Sequence, residues 1–449
     1  MTEPTDADRY PTLSDAGRAI LTRMTEHPAA PLYRNRSGNR LRATDLPGLA
    51  AFEAETLSAP IGWRPGTPPA WIAPYLAQIY ARVPHFRARG LAPADFAEVP
   101  TTARADLARD IAAFVPDDVP VDRLINFRTT GTTGHPLLIA SHPVVAARYL
   151  AFHKRALARF GITLRAGPGD VGVVLLGHQR RCFTYVSVTP TMGEAGLAKI
   201  NLHPDDWRDP ADRARYLDAM DAEVIAGDPI SFASLLALPV RIRPRALLSV
   251  AMMLSDGLRD RLEARFGCPV LDLYSMNEVG PIAVADRAAG GRVLLQPNLY
   301  VEIVDAAGRA LPPGELGEVC VTGGFNFCLP LVRYRTGDTA RLAMAGDTPM
   351  LVDFSGRRPV RFRTAQGSWV NNVDISHALA GLSAAQFALH QTAEGACVLL
   401  LSHGALDDAP SALAALRRVL GDVPVRIGPI ESEDKVLQYT SDLRGSTAE

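Results

Sequence analysis

Residues 128–136 of this 449-residue chain, RTTGTTGHP, are the stretch best suited to bind an anion. Glycines let the backbone approach a ligand closely, and free backbone N–H groups and threonine hydroxyls donate hydrogen bonds to phosphate oxygens. An ordinary Thr/Gly surface loop can have the same composition. The stretch alone therefore leaves a phosphate cradle and a plain loop as two open interpretations.

Two carboxylates and one lysine are further candidates for chemistry. Glu278 comes shortly after the apolar run 270–273, and an open α/β sheet places its ligands at strand ends. Asp338 lies in Tyr-Arg-Thr-Gly-Asp, and Lys435 is one of only three lysines among 47 basic residues. The alternatives are a solvated turn glutamate, a β-turn cap and a solvent-facing cation of the tail.

The elements that must position these residues alternate along the middle of the chain. Short apolar runs at 171–176, 224–226 and 270–273 are separated by helical patterns, which is typical of α/β layering with a largely parallel sheet. Ser255 or Asp256 can cap a helix that Gly267 ends. We therefore expect an α/β fold.

Two further regions have a different pattern of apolar and turn-forming residues. Beyond residue 290, short stretches between glycine and proline turns predict a β-subdomain. From residue 356, mixed patterns predict a small α+β domain. The expected domains are a large N-terminal domain, 1–355, in which 1–69 form an extension and a linker, and a C-terminal domain, 356–449.

Composition excludes several classes of protein. The apolar fraction of 47% is typical of a globular protein, and a net charge of −1 gives no field that attracts nucleic acid or an anionic membrane. The longest apolar stretch near the middle is about a third of the ~20 residues that a membrane span needs. Because the start, MTEPTDADRY, is acidic and polar, we expect no signal or transit peptide and a soluble cytoplasmic protein.

Two other sequence features do not indicate a functional site. The five cysteines show no zinc spacing and are expected to be free thiols. The glycines of GPGDVG precede an apolar run, whereas a dinucleotide fingerprint must follow a strand. We therefore interpret that stretch, residues 167–172, as a turn.

Taken together, the motifs resemble those of the adenylate-forming superfamily, which includes acyl-CoA synthetases, adenylation domains and luciferases. TTGTTGHP resembles its phosphate loop, YSMNE (274–278) its aromatic–x–x–Thr/Ser–Glu motif and YRTGD (334–338) its ribose motif, all in the family's order. Gly356 and Arg357 resemble the pair that begins its small, mobile C-terminal domain. Within the superfamily, the phenylacetate–CoA ligase-like branch is most similar.

The resemblance implies a role for each matching residue. Glu278 would hold Mg²⁺, Asp338 the ribose hydroxyls, and Tyr274 would pack on adenine, although a core tyrosine is the alternative. Lys435, Glu278 and Thr133 are the catalytic candidates, and Lys435 would serve the adenylation step. The nucleotide-binding candidates are Thr129, Thr130, Gly131, Thr132, Thr133, Gly134, Tyr274, Ser275, Asn277, Asp338 and Arg357.

The chain departs from the family pattern at several positions. His135 stands where a lysine is usual, and 250–252 match poorly the stretch that would frame adenine. Pro359 stands at the expected hinge, where proline fixes φ and lacks an N–H. Glu433 and Asp434 replace the usual Ser-Gly before the terminal lysine. Pro359 therefore puts the usual domain rotation in question.

The implied activity is activation of a carboxylic acid by ATP through an acyl-adenylate, followed by transfer to CoA. The branch implies an aryl or arylalkyl acid, with His178, Phe183 and Tyr185 in its pocket, although an apolar core explains these residues equally well. An amine, a carrier-protein thiol or another nucleophile is an alternative acceptor. A non-catalytic nucleotide-binding protein is the alternative from another class, and a homodimer is one option for the oligomeric state.

Overall fold

The computed structural model describes residues 4–90, 93–128, 137–356, 360–432 and 435–446. Its helices are α1 (Asp6–Arg9), α2 (Asp15–Glu26), α3 (Leu46–Ser58), α4 (Ile72–Arg82), α5 (Pro84–Arg87), α6 (Arg104–Arg109), α7 (Pro143–Arg159), α8 (Asp212–Met220), α9 (Pro229–Leu236), α10 (Asp256–Phe266), α11 (Asn372–Leu379) and α12 (Ala409–Leu420).

The strands follow the same chain order. They are β1 (Thr102–Ala103), β2 (Ile125–Arg128), β3 (Leu138–Ser141), β4 (Val171–Gly177), β5 (Tyr185–Thr189), β6 (Ala195–Asn201), β7 (Val224–Gly227), β8 (Ala246–Ser249), β9 (Val270–Met276), β10 (Gly280–Asp286), β11 (Gly291–Leu294), β12 (Leu299–Val304), β13 (Gly317–Gly323), β14 (Leu331–Ala345), β15 (Thr348–Ser355), β16 (Arg361–Arg363), β17 (Trp369–Asn371), β18 (Phe387–Gln391), β19 (Cys397–Leu401), β20 (Val425–Pro429) and β21 (Tyr439–Ser441).

The chain divides into two compact units. The first comprises 1–50, 157–272 and 360–448, and the second comprises 51–156 and 273–359. The predicted boundary between a large and a small domain at residue 356 stays a prediction. Each unit has a hydrophobic core of its own.

The first unit contains a mainly parallel sheet in the order β8-β7-β4-β6-β5, with the start of β9 beside β8. Only β5 runs antiparallel to its neighbour. Ile20 and Met24 of α2 are buried in the core of this sheet and lie against Gly196 of β6. Because the N-terminal segment fills this core, residues 1–50 are an integral part of the unit.

Helix α10 follows the sequence prediction. The hydroxyl of Ser255 accepts a hydrogen bond from the backbone N–H of Leu258, and Gly267 ends the helix with a φ of 64°. A left-handed residue at this position costs glycine little because it has no Cβ. Both predicted helix signals are confirmed.

Residues 360–446 form a small α+β body within the first unit. Its sheet has the order β20-β19-β18-β21, with α11 and α12 packed on a core that includes Leu399 and Leu416. The hydroxyl of Ser255 donates to the carbonyl of Ala384, at 2.9 Å, and ties α10 to this body. Strands and helices alternate here, as in β19 (Cys397–Leu401) and α12 (Ala409–Leu420), in agreement with the mixed pattern of this region.

The second unit is built on an antiparallel meander in the order β12-β13-β14-β15-β11-β10, with the end of β9 beside β10. The short strand β1 joins β14 in parallel. The predicted linker at 60–69 contributes to this core, because Trp63 is 3% exposed and its indole N–H donates to the carbonyl of Leu299 at 3.0 Å.

One buried ion pair in the second unit is saturated with hydrogen bonds. The guanidinium of Arg333 bonds both carboxylate oxygens of Glu302, at 3.2 and 3.3 Å, and their side chains are 4% and 5% exposed. It also donates to the carbonyls of Ala97, Val99 and Gly308. This network joins two further segments of chain, one with Ala97 and Val99 and one with Gly308, to β12 and β14.

Two expectations from composition can be compared with the structure. All five cysteines are free, and four of them are buried, as predicted. Within the described ranges, no helix is long and apolar enough to cross a membrane.

Candidate active site

Strands β9 and β14 of the second unit bring two of the predicted nucleotide residues into contact. The hydroxyl of Tyr274, near the end of β9, donates to Asp338 Oδ2 at 2.7 Å. The backbone N–H of Asp338 donates to the hydroxyl of Thr336 at 3.1 Å, which fixes the turn-like backbone around Gly337. The two residues are 64 positions apart in the sequence and lie on strands that are not neighbours in the sheet, so their contact depends on the tertiary fold.

The side chain of Tyr274 is more buried than stacking on an adenine ring requires. It is 7% exposed, and its ring centroid is 4.4 Å from that of Phe354. Burial and then the charge of Asp338 raise the pKa of Tyr274 well above its usual value, so its hydroxyl stays a donor. This environment matches the core-tyrosine alternative, while contact with adenine stays a prediction.

Glu278 is a buried carboxylate rather than a solvated turn residue. Its side chain is 4% exposed, and its Oε1 accepts from Arg104 Nη1 at 3.0 Å and from the Tyr334 hydroxyl at 3.5 Å. Burial, followed by the charge of Glu278, raises the pKa of Tyr334 well above its usual value. The solvated-turn alternative for Glu278 is therefore excluded.

Arg104 is a site residue that sequence reasoning missed. It begins α6, directly after β1, and β1 pairs with β14 so that Thr102 lies opposite Tyr334. The half-exposed guanidinium thus reaches Glu278 from 174 positions away. An arginine fork is well suited to carboxylates and phosphates, which makes Arg104 a new candidate for contact with ATP.

Among the predicted site residues, Glu278 is suited to bind Mg²⁺. Mg²⁺ in nucleotide sites is usually held by one or two carboxylates together with the phosphates of the substrate. Glu278 supplies one such carboxylate, and no cluster of three or more metal-binding side chains occurs among the described residues. Any metal here would therefore take most of its ligands from the nucleotide and from water.

The loop around Glu278 is held on both sides. The hydroxyl of Tyr149, on α7, donates to the carbonyl of Asn277 at 3.3 Å. After Glu278, the side-chain amide of Gln296 donates to the carbonyls of Val279 and Pro281 at 2.9 and 2.8 Å. Ser275 is half-buried and Asn277 exposed.

Position 280 requires a glycine because of its backbone conformation and its contact with Phe325. Its φ is 79°, and a Cβ at this position would lie 2.3 Å from the ring of Phe325. Any larger side chain would combine a strained backbone with a clash. The position of the Glu278 loop is therefore fixed against the core.

Lys435 lies in the first unit and has a defined partner. Its ammonium donates to the carbonyl of Ala251 at 2.9 Å, and Ala251 has an unusual φ of 67°. The contact falls within 250–252, the segment aligned with the family's adenine-framing stretch. Although the residue is exposed, this hydrogen bond distinguishes it from a free cation of the tail.

The three residues predicted for the acid pocket also lie in the first unit. His178 Nδ1 and the Ser234 hydroxyl are 2.8 Å apart, while Phe183 and Tyr185 form an edge-to-face pair at 5.5 Å. Burial raises the pKa of Tyr185 to about 12. Phe183 is 52% exposed, and the assignment of a pocket here stays a prediction.

Several predicted residues lie outside the described part of the chain. Strands β2 and β3, which precede and follow the phosphate-loop candidate, are paired antiparallel. The residues without a described position are Thr129, Thr130, Gly131, Thr132, Thr133, Gly134, His135, Arg357, Pro359, Glu433 and Asp434.

Comparison with known proteins defines the class. The model of the AMP-binding enzyme family matches residues 129–327, a range that includes the phosphate-loop candidate, Tyr274 and Glu278. This stretch is similar to that family, and the resemblance to the adenylate-forming superfamily is confirmed.

The relatives are consistent with the predicted branch. Over 293 residues, the chain is 29% identical to phenylacetate-coenzyme A ligase of Aromatoleum evansii and 27% identical to that of Escherichia coli (strain K12). The matches cover 59% and 60% of this chain. They span 63% and 64% of the relatives, which is less than two thirds of either.

A solved structure supports the fold. The chain superposes with a TM-score of 0.64 on 2-hydroxyisobutyryl-CoA ligase in the postadenylation state in complex with R3-HIB-AMP. The identity is 17%, and the match covers 87% of this chain and 92% of the other. The predicted fold class, a layered α/β region with a β-subdomain and a small α+β C-terminal domain, is confirmed.

Proposed function

We propose that the protein activates a carboxylic acid with ATP through an acyl-adenylate and transfers the acyl group to CoA. The observation that carries this proposal is the ion pair of the buried Glu278 with the half-exposed Arg104, which lies in the same unit as the Tyr274–Asp338 contact. A buried carboxylate beside a half-exposed arginine is expected where a phosphate chain and its counter-ion are bound.

In the first half-reaction, a carboxylate oxygen attacks the α-phosphorus of ATP. The new O–P bond replaces the bond to the β-phosphate, and pyrophosphate leaves. The residues 129–134 and Arg104 would hold the phosphates, Asp338 the ribose hydroxyls, and Lys435 would neutralise charge where carboxylate and phosphate meet. Arg357 would reach the ribose or phosphate. Glu278 would hold Mg²⁺, which would supply positive charge for the leaving pyrophosphate.

In the second half-reaction, a nucleophile attacks the carbonyl carbon of the acyl-adenylate, and AMP leaves. The proposed acceptor is the thiol of CoA and the proposed substrate is an aryl or arylalkyl acid, because the relatives are phenylacetate-coenzyme A ligases. An amine or a carrier-protein thiol remains the second candidate, favoured by Pro359 at the expected hinge. A non-catalytic nucleotide-binding role is disfavoured by the presence of Glu278, Asp338 and Lys435 together.

ATP–pyrophosphate exchange over a panel of aromatic and aliphatic acids tests the proposal. We expect exchange that depends on at least one aromatic acid. AMP release in the presence of CoA or of amines then identifies the acceptor. Exchange that is absent with every acid would contradict the enzymatic proposal and favour the non-catalytic alternative.

Glu278→Gln should lower acid-dependent exchange at least tenfold. Glutamine keeps the size of the side chain but removes the charge that would pair with Mg²⁺ and Arg104, and excess Mg²⁺ should restore part of the activity. The measurement is exchange as a function of Mg²⁺ concentration. Glu315→Gln, at an exposed glutamate of the same unit, is the matched control and should behave like wild type. Unchanged activity of Glu278→Gln at low Mg²⁺ would remove Glu278 from the site.

Asp338→Ala should weaken ATP binding because two hydrogen bonds to a charged acceptor, at roughly 1.5–3 kcal/mol each, are lost. Equilibrium binding of ATP and of its 2′- and 3′-deoxy analogues measures this. The wild type should discriminate against the analogues, and the variant should do so far less. Asp347→Ala, at an almost fully exposed carboxylate, serves as the control. Equal discrimination by wild type and Asp338→Ala would show that the hydroxyls are bound elsewhere.

A further inference from the structure

The second unit contains a cavity of about 340 Å³. Aromatic rings dominate its wall, and they belong to Phe52, Tyr75, Phe152, Phe325 and Phe327. Two arginines also line it: Arg82, which forms an ion pair with Asp118, and Arg148. No lining residue is one of the nucleotide candidates of the same unit. Small-molecule sites typically combine such an apolar lining with a few polar groups that fix orientation.

Arg148 has an unusual environment for a charged residue. Its guanidinium carbon lies 4.4 Å from the ring centroid of Phe52 and 5.5 Å from that of Phe327, and its Nη1 donates to the carbonyl of Phe325 at 3.1 Å. Its Nε has neither solvent nor a hydrogen-bond partner, and Arg148 forms no ion pair with any described residue. Burial lowers the pKa of Arg148, and the negative charge of Glu55 opposes this shift without cancelling it.

Gln296 places a second unsatisfied atom on the same wall. It is 2% exposed, and both hydrogen bonds of its amide nitrogen go to the Glu278 loop. Its Oε1 has no partner in the described chain. Buried polar atoms are nearly always paired, so a donor and an acceptor left over beside one cavity indicate a ligand that supplies both partners.

Helix α7 contributes side chains both to this cavity and to the contacts of the Glu278 loop. Arg148 and Tyr149 are consecutive, so their side chains leave the helix about 100° apart. Tyr149 turns to Asn277 in the Glu278 loop, whereas Arg148 turns to Phe52 and Phe325. One helix thus presents one side chain to the proposed nucleotide site and the next to the cavity.

We propose that this cavity binds a small aryl carboxylate that also carries a hydroxyl or N–H group. The carboxylate would pair with Arg148, the ring would pack among the phenylalanines, and the donor would reach Gln296 Oε1. A single planar guanidinium suits a carboxylate, and the aromatic wall suits an aryl body better than a phosphate. The site is additional to the adenylation site and does not depend on the proposed reaction.

Calorimetric titration of the full chain with 4-hydroxyphenylacetate, in the absence of ATP, tests this site. Arg148→Met should weaken binding about tenfold or more, since a charge-assisted hydrogen bond contributes roughly 1.5–3 kcal/mol. Glu55→Gln should strengthen it, because Glu55 is an exposed cavity residue whose negative charge acts on Arg148. Glu278→Gln should leave affinity unchanged, and the neutral 4-hydroxyphenylacetamide should bind much more weakly.

Three results would overturn the site: no binding by the wild type, equal affinity of Arg148→Met and wild type, or loss of binding in Glu278→Gln. Because Glu55→Gln changes an exposed residue and predicts a gain, it keeps the test valid if Arg148→Met folds poorly. The titration contains no ATP, so a failure of pyrophosphate exchange would contradict the proposed function without affecting this result.

Discussion

Lys435→Ala should lose acid-dependent pyrophosphate exchange by about 10²–10³-fold, because a preorganised donor aimed at developing charge is typically worth about 2.7–4 kcal/mol. An ammonium on a flexible stem suits a group that must move into the site, whereas a planar guanidinium suits a fixed clamp. In the resembled family the terminal lysine serves adenylation only. The variant should therefore still consume a supplied acyl-adenylate with the true acceptor.

Two measurements separate this effect from a structural one. The thermal midpoint should hardly change, since the side chain of Lys435 is exposed and donates to the carbonyl of Ala251. Lys435→Arg keeps the charge but not the shape, so partial activity in that variant would assign part of the effect to charge alone.

The result also bears on the expected hinge. Equal damage to both half-reactions would indicate that the same arrangement serves both steps, as Pro359 at the hinge position suggests. Full activity of Lys435→Ala in both half-reactions would show that Lys435 has no catalytic role. The cation expected for the adenylation step would then not be Lys435.

Arg333→Met should lower the free energy of unfolding by about 3–5 kcal/mol, because removing one partner of a buried pair leaves an uncompensated buried charge. Burial raises the pKa of Glu302, and Arg333 opposes that rise. In the variant the carboxylate loses this support, and the carbonyls of Ala97, Val99 and Gly308 each lose a donor. Urea unfolding at neutral pH measures the loss.

Two controls test the cause. Arg341→Met removes an arginine from a partly exposed pair with Asp353 and should cost no more than about 1 kcal/mol. The double variant Arg333→Met/Glu302→Leu should recover part of the lost stability. A loss equal to that of Arg341→Met would show that the pair contributes little.

The sign of the pH dependence follows from the raised pKa of Glu302. Once Arg333 is removed, the folded state favours the protonated acid more strongly than the unfolded chain does. The deficit of Arg333→Met should therefore be smallest below the unfolded pKa of glutamate and should grow as the pH rises toward the folded pKa.

Much of the fold was predictable because local signals and periodicity agree. The capping serine and terminal glycine of α10 are local, and the apolar runs of β4, β7 and β9 are long enough to stand out. Strands β5, β6 and β8 were not predicted; β8, for example, is a buried run of four residues, and periodicity cannot distinguish so short an apolar run from part of a buried helix. Trp63 was assigned to a linker because proline and glycine surround it, and its burial depends on β12, more than 230 residues away.

The candidate site was predictable only where chemistry coincides with a motif. Glu278 and Asp338 were found through their motifs, whereas the hydrogen bond from Tyr274 to Asp338 joins two strands that are not neighbours in the sheet. Arg104 and Arg148 carry no local signal, because an arginine in a helix is ordinary until its partner is known. Long-range contacts, rather than residue types, define these two.

The close approach of Phe325 to Gly280, together with the amide of Gln296, has a consequence for how a nucleotide would be bound. The carboxylate of Glu278 is held in place when the chain folds, so no conformational entropy of this loop is lost at the moment of binding. Affinity there would then reflect contacts alone, and the cost of arranging the loop would appear in the stability of the free protein.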